Sequence, residues 1–102
     1  MMTEVLRGKG NGQKVQGRVS LNRIINPGDV LVCQMTDPSM LDQLLLAGAV
    51  VTDEGGALCH AAIVATDMGL PFVVGTKTAT TTLKDGDIVE VDPVAGTVTV
   101  LS

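Results

Sequence analysis

The chain has one aromatic side chain, Phe72, and neither tryptophan nor tyrosine among its 102 residues. A stacking platform for single-stranded nucleic acid needs several aromatic faces, so the near absence of aromatics argues against that function. Positive charge is scarce as well: 7 Lys and Arg against 11 Asp and Glu give a net charge of −4, with no basic cluster. Binding to a phosphate backbone or to an anionic membrane surface needs the opposite sign. Histidine occurs once and cysteine twice, and Cys33 and Cys59 lie far apart without metal-ligand spacing. No zinc site of the usual kind can be assembled from that set, and no metal is expected. No apolar run reaches the ~20 residues of a membrane span, and the opening Met-Met-Thr-Glu-Val is too polar for a signal peptide. The expectation is a cytoplasmic protein with reduced thiols, partnered by neither nucleic acid nor membrane.

What the chain does have is aliphatic. Val, Leu, Ile, Ala and Met supply one core, which suits a single compact α/β domain over residues 1–102. Residues 1–12 read as an irregular lead-in, with the glycines of Gly8-Lys9-Gly10-Asn11-Gly12 as a flexible turn. Residues 14–20 alternate and predict a strand. Asn26-Pro27-Gly28-Asp29 is a turn, and the continuous apolar run over 30–34 predicts a buried strand. Thr36 or Asp37 can cap a first helix, with Pro38 in its first turn and Gly48 at its end. Its apolar stripe is Met40, Leu41, Leu44 and Leu45. Strands follow at 49–52 and 72–74, a short helical turn within 78–83, and a final hairpin of 88–91 with 97–101. Strand, helix, strand, helix, strand predicts parallel crossovers.

The most distinctive stretch surrounds the single histidine. Gly55-Gly56 precede His60, and residues 61–68 read as a helix stopped by Gly69 and followed by Pro71. Its Ile63 and Val64 are expected to face the sheet. His60 then lies in the first helical turn, where unpartnered N–H groups and the helix dipole favour an anion. A glycine lead-in lets backbone approach a phosphate closely. An imidazole placed there can act as a nucleophile toward phosphorus, as an acid or base, as a ligand, or as a packed residue alone. Cys59 is adjacent in sequence and so does not face His60 across a helix, which argues against a Cys–His dyad and for a packing role. Asp53 and Glu54 read as solvated turn charges.

Gly55-Gly56-Ala57-Leu58-Cys59-His60-Ala61-Ala62-Ile63-Val64-Ala65, joined to Gly69-Leu70-Pro71-Phe72-Val73-Val74-Gly75-Thr76, resembles the phosphohistidine signature of the PEP-utilising enzymes. The likeness is nearest to the mobile domain of phosphoenolpyruvate synthase and pyruvate phosphate dikinase. It extends through Gly28-Asp29-Val30-Leu31-Val32, Met35-Thr36-Asp37-Pro38 and Leu83-Lys84-Asp85-Gly86.

The resemblance implies a swivelling β/β/α fold with a mixed sheet and two to three helices. It implies that His60 carries a phosphoryl group on Nε2, steadied by backbone at Gly55, Gly56, Ala61 and Ala62. The other ring nitrogen then needs a partner, which the sequence does not identify. By the same resemblance the domain binds no cofactor tightly. Mg²⁺ and ATP or PEP are expected on partners: an ATP-grasp-like nucleotide-binding domain and a PEP/pyruvate-binding barrel, in cis or in trans.

Two positions depart from the pattern. Thr66 stands where many relatives carry Arg, and Leu58 where relatives regulated by reversible phosphorylation carry Thr. The chain reads either as a free-standing carrier or as one domain of a longer enzyme. Two alternatives accompany the carrier reading: the same carrier serving a different small-molecule acceptor, and a non-catalytic binding or regulatory module on the same fold.

Overall fold

The valine-rich runs at 30–33, 49–52 and 72–74 alternate in the direction they point, yet are buried on both sides. In the computed structural model, which describes residues 5–21 and 24–102, this double burial sets the architecture. Val30, Val32, Ala49, Val51 and Val73 face one core, and Leu31, Val50, Phe72 and Val74 face another. A parallel sheet covered on both faces has this signature.

The strands are β1 (Val5–Arg7), β2 (Lys9–Asn11), β3 (Val15–Ser20), β4 (Val30–Cys33), β5 (Ala49–Thr52), β6 (Phe72–Val74), β7 (Ile88–Asp92) and β8 (Thr97–Val100). The helices are α1 (Leu41–Leu46), α2 (His60–Met68) and α3 (Ala79–Thr82), with a 3-10 turn at Pro38–Met40 leading into α1. The strand order is β1-β8-β7-β3-β4-β5-β6-β2. Strands β3, β4, β5 and β6 run parallel, with Val30 opposite Ala49 and Val51 opposite Val73. The remaining pairs are antiparallel.

Strand β3 belongs to both halves. Residues Val15 to Arg18 pair with β7, whereas Val19 and Ser20 pair with β4. The result is three layers: an antiparallel sheet, a parallel sheet, and α1 with α2. The first core lies between the sheets, where Leu6, Val89, Val91 and Val98 meet the parallel strands and Ala79 and Leu83 of α3 join them. The second lies between the parallel sheet and the helices, built on Leu44, Ala61, Ala62 and Ala65.

Three expectations are corrected. Residues 1–4 lie outside the described residues, but 5–11 are two strands, not an irregular lead-in. Both pair with non-local partners, β8 and β6, which no local pattern in a Gly-rich stretch announces.

The helix stripes are also narrower than the pattern suggested. On α1, Leu44 is 2% exposed while Leu41 and Leu45 are 51% and 65% exposed. On α2, the alanines face the core and Ile63 is 49% exposed. Small residues let α2 lie close against the sheet; Ile63 turns outward, while Val64, as expected, packs against the helical core together with Met68. Among the described residues, no helix is long and apolar enough to cross a membrane.

Candidate functional site

Chain direction places the site. The parallel strands β4 and β5 end side by side, with Cys33 opposite Thr52. Residues 34–37 and 53–59 therefore leave the sheet at one edge, and ligand sites of open α/β sheets lie at that edge.

The glycine pair is not two equivalent residues. Gly55 has φ +112, and a Cβ there would lie 2.7 Å from Cys59 Sγ and 3.2 Å from the Met35 methyl carbon. A side chain at Gly55 would be both strained and blocked. Gly56 is exposed, with nothing near the position of a Cβ.

The backbone then closes a turn, Cys59 N–H to Gly56 C=O at 3.1 Å, and α2 begins. Cys59 is its N-cap: the thiol sulfur accepts from Ala62 N–H at 3.5 Å. Ile63 N–H bonds to Cys59 C=O at 3.0 Å. The N–H groups of His60 and Ala61 have no hydrogen-bond partner among the described residues, as the first turn of a helix requires. Gly69 ends the helix in the left-handed region at φ +69, as the sequence predicted.

His60 is half-buried, and its ring is held from across the site. Thr36 Oγ1 lies 2.9 Å from His60 Nδ1. Thr36 is only 3% exposed, so this hydroxyl is fixed in place. Sequence reasoning had assigned Thr36 or Asp37 to capping. Asp37 alone does that, with Oδ1 accepting from Ser39 N–H at 2.8 Å. Two adjacent capping residues before one helix were the available signal, because one of them is surplus to the cap.

The Nδ1 contact leaves Nε2 as the ring nitrogen without a hydrogen-bond partner among the described residues. Beside the ring lies a shallow hollow of about 200 Å³, lined by Asp37, Pro38, Leu41, Leu44, His60 and Val64.

Asp53 is not a solvated turn charge. Its carboxylate accepts from Thr80 N–H at 2.8 Å and from Thr80 Oγ1 at 2.5 Å, tying α3 to the end of β5. Glu54 is exposed, as expected. Cys33 is no nucleophile: burial, reinforced by the carboxylates of Asp53 and Asp37, pushes its thiol from 9.0 up to about 11. A thiol that far above neutrality carries almost no thiolate. The side chain of Thr66 turns back on its own helix, Oγ1 donating to Ala62 C=O at 2.7 Å.

Fold and site together define a three-layer domain with a half-buried histidine opening a helix behind a glycine turn. The chain belongs to the family of the PEP-utilising enzyme mobile domain, which matches residues 25–96. Among curated proteins it is 54% identical over 76 residues to an uncharacterised phosphotransferase of Bacillus subtilis, covering 74% of this chain and 9% of that protein. It is 56% identical over 71 residues to phosphoenolpyruvate synthase of Aeropyrum pernix, covering 70% of this chain and 9% of the relative.

The chain thus spans about a tenth of the length of these relatives. Among solved structures, that of Enzyme I shares 32% identity at a TM-score of 0.65, over 76% of this chain and 32% of that one. Aconitase X of Thermococcus kodakaraensis has a TM-score of 0.70 at 19% identity, over 97% and 99% of the two chains, a likeness of fold alone.

Proposed function

We propose that the chain is a phosphoryl carrier, with His60 Nε2 as the atom that takes and returns the group. The observation that carries this reading is the Thr36–His60 contact of 2.9 Å at Nδ1. With Nδ1–H donating to Thr36 Oγ1, the lone pair sits on Nε2 and no proton has to leave the ring before attack.

Nε2 forms the N–P bond as the donor's P–O bond breaks, and the donor leaves as its anion. In the return step an acceptor oxygen attacks phosphorus and Nε2 departs with its electron pair. The unpartnered N–H groups of His60 and Ala61, with the turn at Gly55 and Gly56, offer the arriving phosphoryl oxygens backbone donors at a helix N-terminus. Ala62 N–H is already engaged, weakly, by the Cys59 thiol.

ATP or PEP and Mg²⁺ belong in this reading to partner domains of the nucleotide-binding and barrel type, in the cytoplasm. The long relatives named phosphoenolpyruvate synthase support such partners, because the match covers only 10% and 9% of their length.

The test is intact-mass analysis after incubation with Mg²⁺, ATP or PEP, and full-length phosphoenolpyruvate synthase from Aeropyrum pernix. In that synthase the residue matching His60 is replaced by alanine. The expected result is a gain of one phosphate, labile in acid, stable in base and absent from His60→Ala. No gain under either donor overturns the proposal.

A further inference from the structure

The backbone changes character at Gly55. Ahead of it, three carbonyls in a row accept from the segment that follows β6. Thr76 N–H bonds to Thr52 C=O at 3.1 Å, Lys77 N–H to Asp53 C=O at 2.7 Å, and Gly75 N–H to Glu54 C=O at 3.3 Å. On the other flank the N–H groups of Asp53 and Glu54 reach the carbonyls of Cys33 and Gln34, at 3.2 and 3.1 Å. Past this point the N–H groups of Gly55, Gly56, Ala57 and Leu58 have no hydrogen-bond partner among the described residues. A braced entry thus hands over to a turn whose amides are free.

Side chains reinforce the braced half. Thr76 Oγ1 donates to Thr52 C=O at 2.9 Å, and Thr52 Oγ1 donates to Glu54 C=O at 2.6 Å. Both threonines are buried. The Asp53 carboxylate closes the brace by taking both the N–H and the hydroxyl of Thr80. Lys77 lies between these anchors at φ +74, the one non-glycine residue with positive φ among the described residues. A lysine keeps that conformation only where its surroundings impose it, and the bonds to Asp53 at residues 77 and 80 do so. Gly75 lies so close that a Cβ on it would be 2.6 Å from the Gly55 carbonyl oxygen.

We infer that Asp53 and Thr80 are positioning residues for the glycine turn, holding its entry so that its free N–H groups meet the phosphoryl group on His60. Neither touches the imidazole, which Thr36 holds from the other side. Ring and turn therefore have separate supports. Slackening the turn misplaces the donors around phosphorus and leaves the nucleophile intact, so the loss falls on turnover and not on binding of the phosphoryl donor. The inference rests on the carrier reading for this kinetic consequence, and on geometry alone for the hold on the turn.

The test compares Asp53→Ala, Thr80→Val, Thr80→Ser and Thr81→Val in the full chain. Thr81 is the control, because its hydroxyl bonds back to Thr78 C=O within the same short helix. In ¹⁵N-labelled protein without any phosphoryl donor, the Gly55 and Gly56 amide resonances should shift or broaden in Asp53→Ala and Thr80→Val. They should stay in place in Thr80→Ser and Thr81→Val, and the His60 ring nitrogens should stay in place in all four. In the phosphorylation assay described above, the limiting rate should fall about tenfold for Asp53→Ala and about threefold or more for Thr80→Val. The half-saturating concentration of donor should not change, and Thr80→Ser should restore the rate.

Folded Thr80→Val with parental Gly55 and Gly56 resonances overturns the inference, whether or not Asp53→Ala folds. So does a rate loss equal in Thr80→Val and Thr81→Val, which would mark general loosening of α3. The amide measurement needs no phosphate, so a parent chain that gains none counts against the carrier reading and leaves the hold on the turn standing.

Discussion

At the scale of single residues the argument turns on one hydroxyl. Thr36 Oγ1 is the partner of His60 Nδ1, and the carrier reading has it accept the ring proton, so Thr36→Val keeps the shape and loses the acceptor. A neutral hydrogen bond contributes about 1 kcal/mol, and the phosphorylation rate of His60 should fall about five- to tenfold. Thr36→Ser should restore most of it. A pH–rate profile separates a tautomer effect from a packing effect. If Thr36→Val leaves both rate and profile unchanged, Thr36 is a spectator.

His60 itself was legible in the sequence, because glycines ahead of it and Gly69 behind it bound one short helix. Its partner was not, since Thr36 and His60 are separated by 24 residues and meet only through the pairing of β4 with β5. Asp53 was misread for the same reason, as its partner Thr80 lies 27 residues away.

Elements were more legible than their orientations. The runs that became β4 to β7 and the C-cap of α2 at Gly69 follow from local chemistry, and the structure keeps them within a residue or so. Helix faces did not follow, because burial depends on how closely a helix approaches its sheet. On α1, only Leu44 reaches the core. Leu44→Ala should cost about 2 to 5 kcal/mol in urea denaturation, the usual range for a buried leucine. Leu41→Ala should stay within about 0.5 kcal/mol of the parent, as exposed substitutions do. Equal losses at the two positions would mean that Leu41 is packed after all.

For the whole molecule, the strand order is nearly a ring. β1 and β2 stand at opposite ends of the order, yet a single residue, Gly8, joins them. Gly8 N–H bonds to Gly96 C=O at 2.8 Å, and a Cβ at Gly8 would lie 2.1 Å from Val74 O. The strap therefore passes between the two halves with no room for a side chain, and it covers the outer edges of both β8 and β6. A chain beginning at Gln13 loses the strap and the buried Leu6. It should be less stable by about 3 kcal/mol or more, and it should self-associate in size-exclusion chromatography through its bared edges. An unchanged urea midpoint with a monomeric elution volume would show that the strap is dispensable.

That arrangement also constrains the order of events on the ribosome. Val5 pairs with Thr99 and Arg7 with Thr97, so the first strand to emerge waits for the last. The parallel layer and the histidine helix can assemble from residues already made, but the antiparallel layer cannot close until β8 has cleared the exit tunnel. Once β6 has emerged, the nascent domain holds its prospective reactive site beside an unfinished second sheet, and the emergence of β8 sets the moment at which it becomes a cooperative unit.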